Sequence, residues 1–132
     1  MVIVTGAFVA QHAQEQIGGE GTLLIEEAGL PRAQIGADGN TEVLALVVVI
    51  QSELEEKEIE GGQQLIVDLR YPWGGIHRDW RVLDIHPAAY TGEVRLIFFD
   101  FNIDSNVEGR HQFDVSLNGT LVSVPLVLFR DP

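Results

Sequence analysis

Gly109-Arg110-His111-Gln112-Phe113-Asp114-Val115-Ser116-Leu117, then Asn118-Gly119, then Thr120-Leu121-Val122-Ser123-Val124-Pro125-Leu126-Val127-Leu128-Phe129: this stretch decides the fold. Asn-Gly between two alternating runs is the signature of a type I′ hairpin, whose two central residues both need positive φ. Pairing Leu117 with Thr120 and counting outward sets Val115 against Val122, Phe113 against Val124 and His111 against Leu126. The other face takes Ser116 with Leu121, Asp114 with Ser123 and Gln112 with Pro125. This register gathers most of the apolar residues on one side, as a half-buried antiparallel pair requires. Pro125 has no N–H to donate, so its strand belongs at a sheet edge or carries a bulge there.

Working back from the hairpin, residues 93–103 form a strand in which Val94, Leu96 and Phe98 alternate with Arg95, Ile97, Phe99 and Phe101. Residues 104–109 are the loop between them. Residues 64–71 alternate as well, and Pro72-Trp73-Gly74-Gly75 turns the chain into a further strand over 76–85, with a connection at 86–89. Residues 42–50 contain eight consecutive apolar residues, Val43 to Ile50, with no alternation. Their length and β-branched content favour a strand covered on both faces over a buried helix. Residues 2–10 and 22–26 read as strands, with 11–16 a short helical turn or an extended connection between them. A glycine cluster at 18–21, Gly29-Leu30-Pro31 and the 36–40 segment are turns and loops. The acidic stretch 51–62, with five glutamates around Lys57, is a solvated connection. About eight short strands without a long amphipathic helix indicate an all-β chain folded as a two-layer antiparallel β-sandwich, immunoglobulin-like or jelly-roll-like, and residues 1–132 form one domain.

The chain has 132 residues, 20 acidic and 8 basic, for a formal charge of −12. That balance argues against nucleic acid and anionic membrane surfaces as partners, and it keeps a strand-rich protein soluble. There is no cysteine, so disulfides, zinc thiolates and thiol nucleophiles are excluded, in keeping with a cytoplasmic location. The N-terminal Met1-Val2-Ile3-Val4 lacks a preceding basic region and reads as a first strand rather than a signal peptide. No apolar run reaches the length of a membrane-spanning helix.

The motif Gly109-x-His111-x-Phe113-x-Val115-x-Leu117-Asn118-Gly119 resembles the closing hairpin of a family of uncharacterised bacterial and phage-associated β-sandwich domains. Phe8-x-Ala10-x-x-Ala13 and the glycine-rich turn before Thr22 are similar to that family's N-terminal pattern. His111 stands where the family places an aromatic residue, and the acidic 51–62 stretch is particular to this chain. The resemblance implies a β-sandwich and brings no established activity.

Two groups of residues are candidates for chemistry. Asp100, Asn102, Asp104, Asn106 and Glu108 set oxygen atoms at alternate positions, like the opening of a calcium loop. The glycine of such a loop is replaced by Ser105 and its twelfth ligand by His111. Alternation along a strand also puts Asp100, Asn102 and Asp104 on one face. Tyr71, Trp73 and Trp80 surround the 72–75 turn and form either a binding platform or a lid over one end of the core. The histidines at 12, 77, 86 and 111 have no metal-ligand spacing. A lone His111 on an apolar face is a packing residue, and Asp114, Ser116 and Ser123 are polar surface without a histidine to complete a triad. No catalytic, cofactor-binding or metal-ligating residue is assigned beyond the calcium candidates.

Residues 43–50, 94–99 and 126–129 are apolar on both faces of their strands, whereas a lone sandwich covers one face of each sheet. A loop, the 51–62 segment or a second copy must cover the rest. The expectation is therefore a homo-oligomer, simplest as a two-fold dimer, acting as a non-catalytic interaction or scaffold module with itself or another protein as partner. The alternatives are a sandwich binding calcium or a small ligand, and a hydrolase with a loop-borne site.

Overall fold

The computed structural model describes residues 2–15, 23–52, 63–85 and 94–131. Among them run nine strands: β1 (Val2–Glu15), β2 (Leu23–Ala28), β3 (Arg32–Gln34), β4 (Leu44–Ser52), β5 (Gln63–Arg70), β6 (Ile76–Ile85), β7 (Val94–Phe101), β8 (Gly109–Leu117) and β9 (Thr120–Phe129). They form a four-stranded sheet in the order β2-β1-β4-β7 and a five-stranded sheet in the order β3-β9-β8-β5-β6. The two sheets pack face to face as an all-β sandwich. Among the described residues no helix is long and apolar enough to cross a membrane.

The hairpin has the expected register throughout, from Leu117 opposite Thr120 to His111 opposite Leu126. Its turn has Asn118 at φ 51° and Gly119 at φ 80°, the left-handed pair that a type I′ turn requires. The tip also joins the sheets. Asn118 Nδ2 donates to Val2 O (2.9 Å), and Val4 N donates to Thr120 Oγ1 (3.1 Å). Pro125 opposes Gln112 in an unbroken register, and β3 reaches only Val127 to Phe129 on the other side of β9. Pro125 therefore lies on an edge, where a missing N–H breaks no ladder bond.

The core explains the alternation. His111, Phe113, Val115 and Leu117 of β8 and Val124, Leu126 and Leu128 of β9 face Leu44, Leu46, Val48 and Ile50 of β4 across the sandwich. Phe101 and Phe113 meet edge to face at 5.1 Å, and Trp80 lies 5.4 Å from Phe113. β4 is buried on both faces, as its unbroken apolar run required. Ala45 and Val47 point away from the core into a second cluster built only from residues of their own sheet.

Four features depart from the sequence reading. The polar segment after Ala10 continues β1 to Glu15, because Ala13 pairs with Ile25 and Glu15 with Leu23 of β2. The short β3 runs parallel to β9, the one parallel pair among antiparallel ones. It is fixed from both ends: Val127 N donates to Pro31 O, and Ile35 N donates to Phe129 O. β4 starts at Leu44 rather than residue 42, and β7 ends at Phe101 rather than residue 103. Most of the acidic 51–62 stretch, the 18–21 turn and the 86–89 connection lie outside the described residues.

Candidate functional site

The aromatic turn separates into two environments. Tyr71 and Trp73 stack with centroids 4.5 Å apart and planes within 4° of parallel. Tyr71 packs on the core, while Trp73 is 60% exposed. The turn holds itself through Gly74 N to Tyr71 O (3.0 Å) and Tyr71 N to Gly75 O (2.8 Å). Trp80 goes elsewhere. Leu69 pairs with His77 and Val67 with Arg81, so residues 78–80 together oppose Asp68 alone. Asp79 at the centre of this bulge has φ 54°, and its N–H donates to Asp68 Oδ1 (2.8 Å). Released from the alternation, the Trp80 ring lies among Phe99, Phe101 and Phe113, with the Arg81 guanidinium 4.2 Å from its centre. Tyr71 and Trp80 thus cap the core, and Trp73 alone faces outward.

Beneath Tyr71 lies His111, wholly buried. Gly109 O can only accept, so Nδ1–H donates to it (3.2 Å) and Nε2 accepts from Ser105 Oγ (2.8 Å). Burial lowers the His111 pKa below its usual value, against a smaller opposing pull from the Gly109 carbonyl. The ring is a neutral, fully bonded packing group. Ser105 sets a hydroxyl beside an imidazole, but the partner that orients the imidazole is a carbonyl rather than a carboxylate. This contact, between residues six apart in the chain, joins the loop after β7 to β8.

In the 100–108 segment, Asp100, Asn102 and Asp104 are exposed while Phe101 and Ile103 are buried, so the oxygen-bearing residues alternate with core residues. Ile103 is tied at both backbone groups to Thr41: its N–H donates to Thr41 Oγ1 (2.9 Å), and its carbonyl accepts from Thr41 N (3.0 Å). Asn106 is left-handed at φ 55°, and its carbonyl accepts from Arg130 Nη2 (3.0 Å). Glu108 Oε1 accepts from Arg130 N (2.7 Å). The loop's far end is thus bonded to the chain leaving β9. Among the described residues no three histidine or acidic side chains gather where they could hold a metal ion.

On the outer face of the five-stranded sheet, Asp114 accepts from Arg70 Nε, from Gln112 Nε2 (2.9 Å) and from Ser123 Oγ (2.9 Å). Burial alone would raise its pKa. The bonds from Arg70, Gln112 and Ser123, with the guanidinium charge, outweigh that and hold it below the usual carboxylate value. Asp68 lies directly across from Asp114 in the ladder. A carboxyl group driven toward its ionised form, as Asp114 is, is not a general acid. A shallow hollow near the chain's end, about 260 Å³, is lined by Gln34, Ile35, Gly36, Ala37, Arg130 and Asp131, which include neither a nucleophile nor a histidine.

The remaining feature is the outer face of the four-stranded sheet. Ala10, Ala13, Ala45 and Val47 are buried there, ringed by partly exposed Phe8, Leu23, Ile25, Leu96 and Phe98. Val47 sits between Phe8 and Phe98, its cross-strand partners on either side. The sheet thus carries a second, smaller apolar cluster on the side turned away from the core, its centre buried and its rim partly buried. No protein-family model matches the chain, and no curated protein matches it significantly.

Proposed function

We propose that this protein is a non-catalytic β-sandwich module that assembles with further copies of itself and serves as an interaction scaffold. One observation supports the reading above the others: the apolar cluster on the far side of the four-stranded sheet, composed of Phe8, Ile25, Val47, Leu96, Phe98 and their small neighbours. The partly buried rim of this cluster would be covered further by association, and identical copies do so most simply about a two-fold axis. A chain charged to −12 needs an uncharged surface for self-association. The lack of cysteine suits a reducing, cytoplasmic setting. Light scattering after size exclusion at micromolar concentration is expected to give a dimer or larger species. A monomeric mass there removes the proposal.

A second reading, binding of a small planar ligand or sugar ring, draws support from Trp73, which is held flat against Tyr71 with most of its surface in water. It predicts a ligand-dependent change in indole fluorescence that Trp73→Ala abolishes. A Trp73→Ala chain that keeps the full signal eliminates that site.

A further inference from the structure

The chain has four asparagines, and three of them precede a β-branched residue: Asn40 precedes Thr41, Asn102 precedes Ile103 and Asn106 precedes Val107. Asn118 alone precedes a glycine. The difference is chemical. The main-chain nitrogen of the following residue can attack the asparagine side-chain carbonyl carbon. A branched side chain crowds that nitrogen, whereas glycine leaves it open. Nothing stands within 4 Å of where a Cβ at Gly119 would be, and both residues of the turn are exposed. The same amide is also a fastener. Its Nδ2 donates to Val2 O (2.9 Å) at the start of β1 and to Gln63 Oε1 at the start of β5. Beside it, Val4 N donates to Thr120 Oγ1 (3.1 Å), and that hydroxyl donates to Leu117 O (2.6 Å). Val2, Val4 and Leu117 belong to the main core, so the hairpin tip closes one end of the sandwich.

We propose that Asn118 is a site of spontaneous covalent modification, and that its conversion unfastens β1 from the hairpin tip. The step needs water and nothing else. Gly119 N gives up its proton to solvent and bonds to Asn118 Cγ. The Cγ–Nδ2 bond breaks, and the nitrogen takes up a proton and leaves as ammonia. The cyclic imide that remains is opened by one water at either of its two carbonyls. Opening at one yields aspartate. Opening at the other routes the main chain through the side chain, as isoaspartate. Both products lose the donor. A carboxylate only accepts, and so does the Val2 carbonyl oxygen it would face. Gln63 can turn its amide round to donate, but Val2 has no such freedom. Isoaspartate also lengthens the main chain inside a turn whose two residues, at φ 51° and 80°, fix the hairpin register. While the tip is closed, the amide is held on Val2 and Gln63. The attack therefore proceeds when the tip opens, and its rate records that local opening.

The test incubates the full chain in mildly alkaline buffer and follows each asparagine-containing peptide by mass spectrometry and by enzymatic methylation of isoaspartate. Amide loss at Asn118 is expected to run at least tenfold faster than at Asn40, Asn102 or Asn106. Ammonia should appear in equal amount, and the rate should rise with pH, as attack by a deprotonated nitrogen requires. Loss at Asn118 no faster than at the other three overturns the site. Thr120→Val removes the hydroxyl that accepts from Val4 N while keeping the side chain's shape. It should open the tip more often and speed the loss at Asn118 at least twofold, and an unchanged rate overturns the link to tip opening. The structural consequence is read by hydrogen exchange on Asn118→Asp, where the Val4 amide should exchange at least tenfold faster while amides at the centre of β8 keep the parent rate. The aged parent chain, separated from unreacted protein by its added negative charge, gives the same reading without a variant having to fold. Unchanged exchange at Val4 in both samples overturns the fastener. None of these measurements depends on the oligomeric state, so their outcome is separate from that of the self-assembly proposal.

Discussion

His111 shows how one buried side chain sets a pH response. Its folded-state pKa lies below the ordinary value of about 6.5, so the unfolded chain takes up the proton first as pH falls. The stability this group contributes is complete above about pH 6.5 and declines below it until the folded-state pKa is reached. Asp114 acts in a lower window. Its folded pKa also lies below the ordinary carboxylate value, so its contribution is present above about pH 4 and is lost as pH falls through the folded pKa. Urea midpoints measured from pH 8 to pH 3 should therefore decline in two stages. His111→Phe should flatten the stage between pH 7 and 5 and leave the acid stage intact, and an unchanged slope there would assign it to other groups. Asp114→Ala removes the shared acceptor of Arg70, Gln112 and Ser123. The expected cost at pH 7 is about 1–3 kcal/mol by urea unfolding, with the acid stage reduced in proportion.

At the scale of elements, two glycines in the closing hairpin make a controlled comparison. Gly119 has φ 80° with nothing within 4 Å of where a Cβ would stand, so Gly119→Ala meets only the left-handed penalty of about 1–2 kcal/mol. Gly109 has φ 125°, and an added Cβ would approach Pro72 Cβ and Cγ to 3.1 Å. Gly109→Ala should therefore cost more than Gly119→Ala, about 2–4 kcal/mol, and loosen the Tyr71–Trp73 turn enough to shift indole emission. Equal losses in the two variants would show that the Pro72 contact carries no weight. The hairpin was legible because Asn118-Gly119 fixes a turn type and alternation fixes the faces. β4 was legible because a run apolar at every position has no other use in a sandwich. β3 was not, since three residues hold an extended form only through what β9 offers them. The second half of β1 was hidden by its polar Gln-His-Ala-Gln-Glu composition, which becomes a strand when β2 pairs with it. Trp73 and Trp80 looked like one group because they are seven residues apart. The Asp79 bulge that sends Trp80 into the core depends on an Asp68 carboxylate supplied by the neighbouring strand, a contact that spacing along the chain does not encode.

For the whole molecule, the net charge and the outer apolar cluster would act in opposite directions on the proposed self-association, and their balance can be read from salt. Two copies at −12 each repel one another through water. The Debye length shortens from about 30 Å at 0.01 M salt to about 10 Å at 0.1 M, whereas burial of apolar surface is not screened. Association should therefore tighten as sodium chloride rises from 0.01 to 0.3 M, which sedimentation would record as a falling dissociation constant. Weakening with salt would instead place ion pairs at the contact. Choosing where to break the face requires care. Val47 is buried in the isolated chain, so a charge there would unfold the sheet before reporting on assembly. Phe8 is partly exposed on the same face and tolerates a polar tip that reaches water. Phe8→Lys and Phe8→Glu should both weaken association at least tenfold while leaving the far-ultraviolet spectrum of the sandwich unchanged. The pair also separates the two forces. If the contact depends on apolar area, the two variants weaken it to similar degrees at 0.3 M salt and diverge at 0.01 M, where the added glutamate increases the repulsion and the lysine reduces it. If Phe8→Lys assembles as well as the parent chain at every salt concentration, the outer face takes no part in association.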